Sequence, residues 1–212
     1  MKRLNFYKTN VLKYIRNKNS KILVLGADEL DKNLFEKLGY KNVVLSNYNK
    51  KKTKKSRYIN ILMQNINFKD KSFDYCVAHA CIHHSSKPHN SILEMYRVSK
   101  LGLLVIEAND CMLTRIACKL GFAEEYEYSA VLKNKTYGGV DNTSIANYVF
   151  RWTEKEVIKL MKSYKPNINH KITFNYEYDL KFTDNVIVSF FFYIFFLFFK
   201  KQKNLLSFFI KK

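Results

Sequence analysis

Short, nearly continuous apolar runs alternate with amphipathic stretches along the first half of the chain. "KILVLGA" is an apolar run of strand length ending in Gly26. "ELDKNLFEKLGY" then carries helical spacing at Leu30, Leu34, Phe35 and Leu38, with Gly39 as a stop. "NVVLS", "YINIL", "SFDYCVAHA" and "LGLLVIEA" read as four further strands, with "HNSILEMYRVSK" as a helix between the last two. Strands that are apolar throughout, separated by helices, predict a parallel sheet covered on both faces. The second half is less regular. "DCMLTRIACKLGF" has helical spacing, and "WTEKEVIKLMKSYKP" is a helix with a Thr153/Glu156 capping box and a stop at Pro166. "HKITFNYEY" and "NLLSFFIKK" supply two more strands. The expected architecture is α/β: a doubly wound, mostly parallel seven-stranded sheet with helices on both faces.

A short amphipathic helix over 5–17 precedes this pattern, so residues 1–19 are read as an N-terminal helix and 20–212 as a single domain. Within it, 110–150 is read as an insertion. The start, "MKRLNFYKTNVLKYIRNKN", is basic but has no continuous apolar core of the secretory kind, which gives a cytoplasmic expectation. Four cysteines without a C-x-x-C pair fit reduced, buried thiols.

The formal net charge of +19 attracts anionic partners in principle. Lysine far outnumbers arginine, however, and Asn, Ile, Phe and Tyr are abundant while Pro occurs twice. That is the residue usage of AT-rich codons, so the charge is weak evidence for a ligand.

In a doubly wound sheet, ligands bind beyond the carboxyl ends of the strands. The residues in question are Gly26-Ala27-Asp28, Asn47-Tyr48-Asn49, Gln64-Asn65-Ile66, His79 to His84, and Glu107 to Asp110. The run "NINFKDKSFDYCVAHACIHHSSKPHNSILEMYRVSKLGLLVIE" resembles class I S-adenosylmethionine-dependent methyltransferases of the type 11-like group. Phe68, Phe73, Asp74, His84, Glu94, Arg97, Val98, Lys100 and Gly102 keep that family's pattern. The resemblance implies a Rossmann-like methyltransferase fold and S-adenosylmethionine as cofactor, held by Gly26, Ala27, Asp28, Asn47, Tyr48, Gln64, Asn65, Ile66 and His79. Asp28 and Leu30 stand where the family has glycines, and Asn47 stands where it has a ribose-binding acid. A rival reading follows from these departures: a non-catalytic binding or scaffold protein whose cofactor loops have decayed. An open cavity where Gly26, Asn47 and Gln64 meet separates the two.

The stretch "SFDYCVAHACIHHSSKP" can be read three ways. A metal site would need partners beyond His79, His83 and His84, whose segment of strand and then loop does not align them on one face, and none is expected. His79 can be packed structurally beside Cys76 and Cys81. His84, just past the fourth strand, is the first candidate for a general base, since imidazole titrates near neutrality. Glu107 and Tyr126 follow it as catalytic candidates.

"VIVSFFFYIFFLFFKKQK" reads as a hydrophobic helix over 184–200. Its fourteen apolar or near-apolar positions, 186–199, extend about 21 Å as a helix, short of a bilayer core of about 30 Å. It is either a buried helix under a partner surface or a peripheral membrane contact through 186–203, with Lys200, Lys201 and Lys203 near anionic headgroups. The resemblance also implies a methyl acceptor, here an unidentified small molecule, glycan or lipid-linked compound, with 110–150 as the acceptor-side insertion. Nucleic acid is not expected, because no Asn-Pro-Pro-Tyr-like motif or appended RNA-binding module is present. The oligomeric state has no signal in the sequence.

Overall fold

The computed structural model describes residues 2–48, 58–134, 137–178 and 202–212. The expected hydrophobic helix over 184–200 lies outside them.

Helix α1 (Lys2–Tyr14) leads into β1 (Lys21–Leu25), α2 (Glu29–Lys37), β2 (Asn42–Asn47) and β3 (Ile59–Asn60). β4 (Phe73–His79), α3 (Pro88–Val98) and β5 (Ser99–Ala108) follow. Next come α4 (Met112–Lys119), α5 (Tyr128–Asn134), α6 (Glu154–Tyr164), β6 (Lys171–Glu177) and β7 (Leu205–Lys211). They form one seven-stranded sheet in the order β3-β2-β1-β4-β5-β7-β6. β1 to β5 pair in parallel, and β7 is antiparallel to both β5 and β6. The expected fold class is the one observed.

Alternation along each strand builds two cores. Leu23, Leu25, Cys76 and Leu103 face one side, against Ile92 and Met95 of α3 and Val157 and Met161 of α6. Ile22, Val24, Val77 and Leu104 face the other, against Phe6, Tyr7 and Val11 of α1 and Leu34 and Phe35 of α2. Strand order reverses between β1 and β4, so the crevice lies at their carboxyl ends.

The third strand is shorter than "YINIL" predicts. The chain turns after Asn60, and Asn65 N–H donates to the Leu62 carbonyl at 2.9 Å. The Glu94 and Arg97 pair of the family-like helix has a structural task nearby. Arg97 bonds Glu94 and Asp70 and donates to the carbonyls of Ile66 and Phe68, while Glu94 accepts from Ile66 N–H. Together they fasten the loop between β3 and β4 to α3.

Candidate active site

The crevice is a cavity of about 280 Å³, just below the usual range of small-molecule sites, roughly 300–1,000 Å³. Its floor is the crossing of two strand exits. Gly26 has φ of +58°, and a Cβ there would sit 2.5 Å from Cys81 Cβ. Only glycine lets the β1 exit pass under the β4 exit. On the other side of that crossing, Ala80 adopts φ of +50°, unusual for a residue with a side chain, and its N–H donates to the Ile106 carbonyl at 2.9 Å.

Asp28 does not plug the cavity. Its carboxylate turns back to cap α2, accepting from Leu30 N–H at 2.8 Å and Asp31 N–H at 3.2 Å. Leu30 is exposed and not among the lining residues. Asn47 and Tyr48 line the wall at the end of β2, and the Asn47 amide donates to the Ala27 carbonyl at 3.0 Å. Ile61, Leu62 and Met63 make an apolar patch after β3.

A segment remote in sequence closes the top. Gly138, Gly139, Asp141 and Asn142 line the cavity, with Asp141 and Asn142 both at positive φ. Gln64 Nε2 and Ser86 N–H donate to Asp141 Oδ1 at 3.0 and 3.1 Å, and Asn142 donates to the Tyr48 carbonyl at 2.8 Å. These bonds tie the segment to the loops after β2, β3 and β4.

Several expected cofactor residues lie elsewhere. Ala27 is fully buried beneath the loop, Ile66 is core, and Asn65 serves the turn after β3. Gln64 acts through Asp141 and not as a lining residue. His79 points into the α1 side, stacked on Tyr7 at 4.4 Å between ring centroids. Burial, helped by the charge of Arg3, pushes its pKa down to about 4. The strand parity that aims Ala78 at one core aims His79 at the other.

Of the catalytic candidates, His84 lines the cavity. Glu107 does not: it is fully buried behind the β4 exit. Its Oε1 accepts from Cys81 and Ile82 N–H at 2.8 and 2.7 Å, and its Oε2 pairs with His83 Nδ1 at 2.8 Å. Burial would raise the Glu107 pKa, but the His83 charge and these bonds hold it below the ordinary value. Tyr126 is exposed beside Tyr128 and Tyr148, outside the cavity.

The neighbouring residue Glu127 takes the inward place instead. Residues 125–127 run against 147–149, with Glu127 N–H donating to the Asn147 carbonyl and Val149 N–H to the Glu125 carbonyl. Alternation along this pairing turns Tyr126 out and Glu127 in. The Glu127 carboxylate reaches His83 Nε2 at 3.6 Å and His84 Nε2 at 3.4 Å, and accepts from Asn147 Nδ2 at 3.2 Å. Burial lowers the His83 pKa, but Glu107 and Glu127 outweigh it and raise the imidazole to about 10. His84 goes the other way, lowered by burial and by its charged neighbour His83. Asp141, Asn142 and Glu127 are not among the residues singled out from the sequence, and Met63 stands where the family has an acid near the adenine. The adjacent Gly138–Gly139 pair was the nearest signal.

Residues 37–106, a third of the chain, match a family model described as a methyltransferase domain. Solved structures share the fold over almost the whole chain at low sequence identity. A SAM-dependent methyltransferase from Archaeoglobus fulgidus aligns with a TM-score of 0.56 and 13% identity, over 99% of this chain and 94% of that one. One from Thermotoga maritima gives 0.53 and 16%, over 99% and 91%. The plantazolicin methyltransferase BpumL, solved in complex with SAH, gives 0.57 and 12%, over 99% and 82%. No curated protein matches the chain. The chain thus shares its fold with solved SAM-dependent methyltransferases, and over residues 37–106 its sequence is similar to a methyltransferase domain.

Proposed function

We propose that the protein transfers a methyl group from S-adenosylmethionine to an unidentified small-molecule, glycan or lipid-linked acceptor. The observation that carries this reading is the open cavity where Gly26, Asn47, Met63, Cys81 and His84 meet at the carboxyl ends of the parallel strands. A decayed scaffold would have side chains filling that space.

The residues fit the cofactor in parts. Leu62 and Met63 offer an apolar slot for the adenine, and the Asn47 carboxamide offers an acceptor to the ribose hydroxyls. Gly26 brings bare backbone to the methionine end, and the Asp28 carboxylate there suits an ammonium group. When bound, S-adenosylmethionine supplies an electrophilic methyl carbon. The task of the protein is alignment in a site shielded from water. His84 stands at the cavity wall near the expected methyl position, and Glu107 holds the β4 exit that carries it.

The surface beside the cap favours an acceptor with an apolar part. Phe122, Tyr128, Leu132, Tyr137, Ile145 and Tyr148 are all exposed within 120–148. These side chains support 110–150 as the acceptor side; a cytoplasmic enzyme with peripheral contact at the inner membrane face is part of the same proposal. Among the described residues no helix is long and apolar enough to cross a membrane. Peripheral contact through 186–203 rests on the sequence alone.

Titration calorimetry with S-adenosylmethionine and its demethylated product tests the reading. Saturable binding of either is expected, and silence for both up to millimolar ligand removes the claim.

A further inference from the structure

The cluster at the β4 exit holds more than a base beside an acceptor. We propose that His83 Nε2, His84 Nε2 and the Glu127 carboxylate form a binding site for a divalent first-row cation of the zinc type. The sequence alone argued against a metal here, because the histidines had no partner within their own stretch. The fold supplies one from the distant 125–127 segment.

Three features support the site. The first is spacing. The ligand atoms all lie within 4.8 Å of one another, with Glu127 Oε2 at 3.6 Å from His83 Nε2 and 3.4 Å from His84 Nε2. A tetrahedral cation with bonds of about 2.0–2.2 Å separates its ligands by roughly 3.3–3.6 Å. The second is orientation. His83 is gripped at Nδ1 by the buried Glu107 at 2.8 Å, the carboxylate–histidine arrangement that aims the other ring nitrogen at a metal. Glu127 is steadied by Asn147, which is itself fully buried. The third is charge. With the His83 proton released on binding, two carboxylates and two neutral imidazoles carry two negative charges, which one divalent cation neutralises.

Two nitrogens and a carboxylate suit zinc-like ions better than magnesium or calcium. Three protein ligands leave a coordination position free, as catalytic zinc sites do. His84 borders the cavity, so that position is available to an oxygen or nitrogen of the acceptor. This last role rests on the methyl-transfer reading, whereas the cation site itself does not.

The test uses the tag-free full chain stripped with a chelator. Equilibrium dialysis against Zn²⁺ is expected to load one ion per chain. Co²⁺ is expected to give the intense visible bands of a four-coordinate site without thiolate charge transfer. Glu127→Ala, at a half-buried surface position, should lose stoichiometric uptake while keeping its circular dichroism and melting temperature; His84→Ala should weaken uptake at least roughly tenfold. Failure of the unaltered chain to load, a thiolate band, or uptake unchanged in Glu127→Ala overturns the site. Calorimetry with the demethylated cofactor on the same stripped protein separates the two claims. Cofactor binding without metal uptake sinks only the cation site, and uptake without cofactor binding sinks only the enzymatic reading.

Discussion

Two buried carboxylates lie within a few residues of the same strand ends and behave in opposite ways. Glu107, on the β4 side, is fully buried, yet its pKa is held low. Asp31, on the cofactor side, is nearly as buried, yet its pKa is raised to about 7. Desolvation is the largest influence on both and pushes both upward. The difference is the company each keeps. Glu107 accepts two backbone N–H bonds and faces the His83 imidazole. Asp31 accepts from the Tyr7 hydroxyl at 2.8 Å and Asp28 N–H at 3.0 Å, but the charge beside it is the like-signed Asp28. Hydrogen bonds alone do not keep a buried acid ionised here, whereas hydrogen bonds with a cation do. The same contrast separates the two halves of the site: interlocked charges where the chemistry is expected, and backbone with single polar contacts where the cofactor is expected.

Removing Glu107 should therefore give the largest effect. Glu107→Ala leaves the Cys81 and Ile82 N–H groups buried without an acceptor and strips His83 of its closest partner. Losing one partner of such a buried pair costs about 3–5 kcal/mol. Urea unfolding of the variant is expected to show that loss, and a change under 1 kcal/mol would mean the contrast with Asp31 is overstated.

Asp31 should produce a smaller effect with a pH signature. The groups facing it are Tyr7 from α1, Asp28 from its own loop, Cys81 from the β4 exit and Tyr58, none of them cationic. Its folded pKa lies above the unfolded value, so between about pH 4 and about pH 7 the native state holds the extra proton. Stability from this group is present at low pH and lost as pH rises, by up to about 1.4 kcal/mol per unit. Asp31→Asn should remove that slope, about 2 kcal/mol between roughly pH 5 and pH 6.5, because its amide can still accept from Asp28 N–H and donate to Tyr7. Melting curves across that range check the sign; an unchanged slope would show that Asp31 is ionised throughout.

How far each half could be read from sequence follows the same division. Seven strands, the crossover helices and the crevice position were legible because burial on both faces of a parallel sheet leaves continuous apolar runs. Gly26, Asp28, Asn47, Tyr48 and His84 line the cavity, as expected of residues at or within a few positions of the strand ends. The inward turn of Glu127 was not, since it depends on pairing between 125–127 and 147–149 in a stretch with no apolar period. Tyr126 was chosen over its neighbour for the same reason. His79 and Glu107 were misassigned because strand-end position says nothing about which core a side chain enters. Gln64 is an intermediate case, reaching the site only through Asp141, a residue whose left-handed backbone has no signature in composition.

The mildest perturbation bears on the cofactor half. Asn47 is exposed at the end of β2, and among the described residues only the Nδ2 of its carboxamide is engaged, by the Ala27 carbonyl. Its Oδ1 remains an acceptor for a ribose hydroxyl, a neutral bond of about 1 kcal/mol. Asn47→Ala should therefore weaken binding of the demethylated cofactor roughly fivefold, with little change in melting temperature. That pattern, affinity lost without stability, is the reverse of what Glu107→Ala should show, and it is the mark of a polar group that touches ligand more than protein. If instead Asn47→Ala binds as tightly as the unaltered chain, the ribose is held elsewhere. The next candidate is then the Tyr48 backbone, whose carbonyl accepts from Asn142.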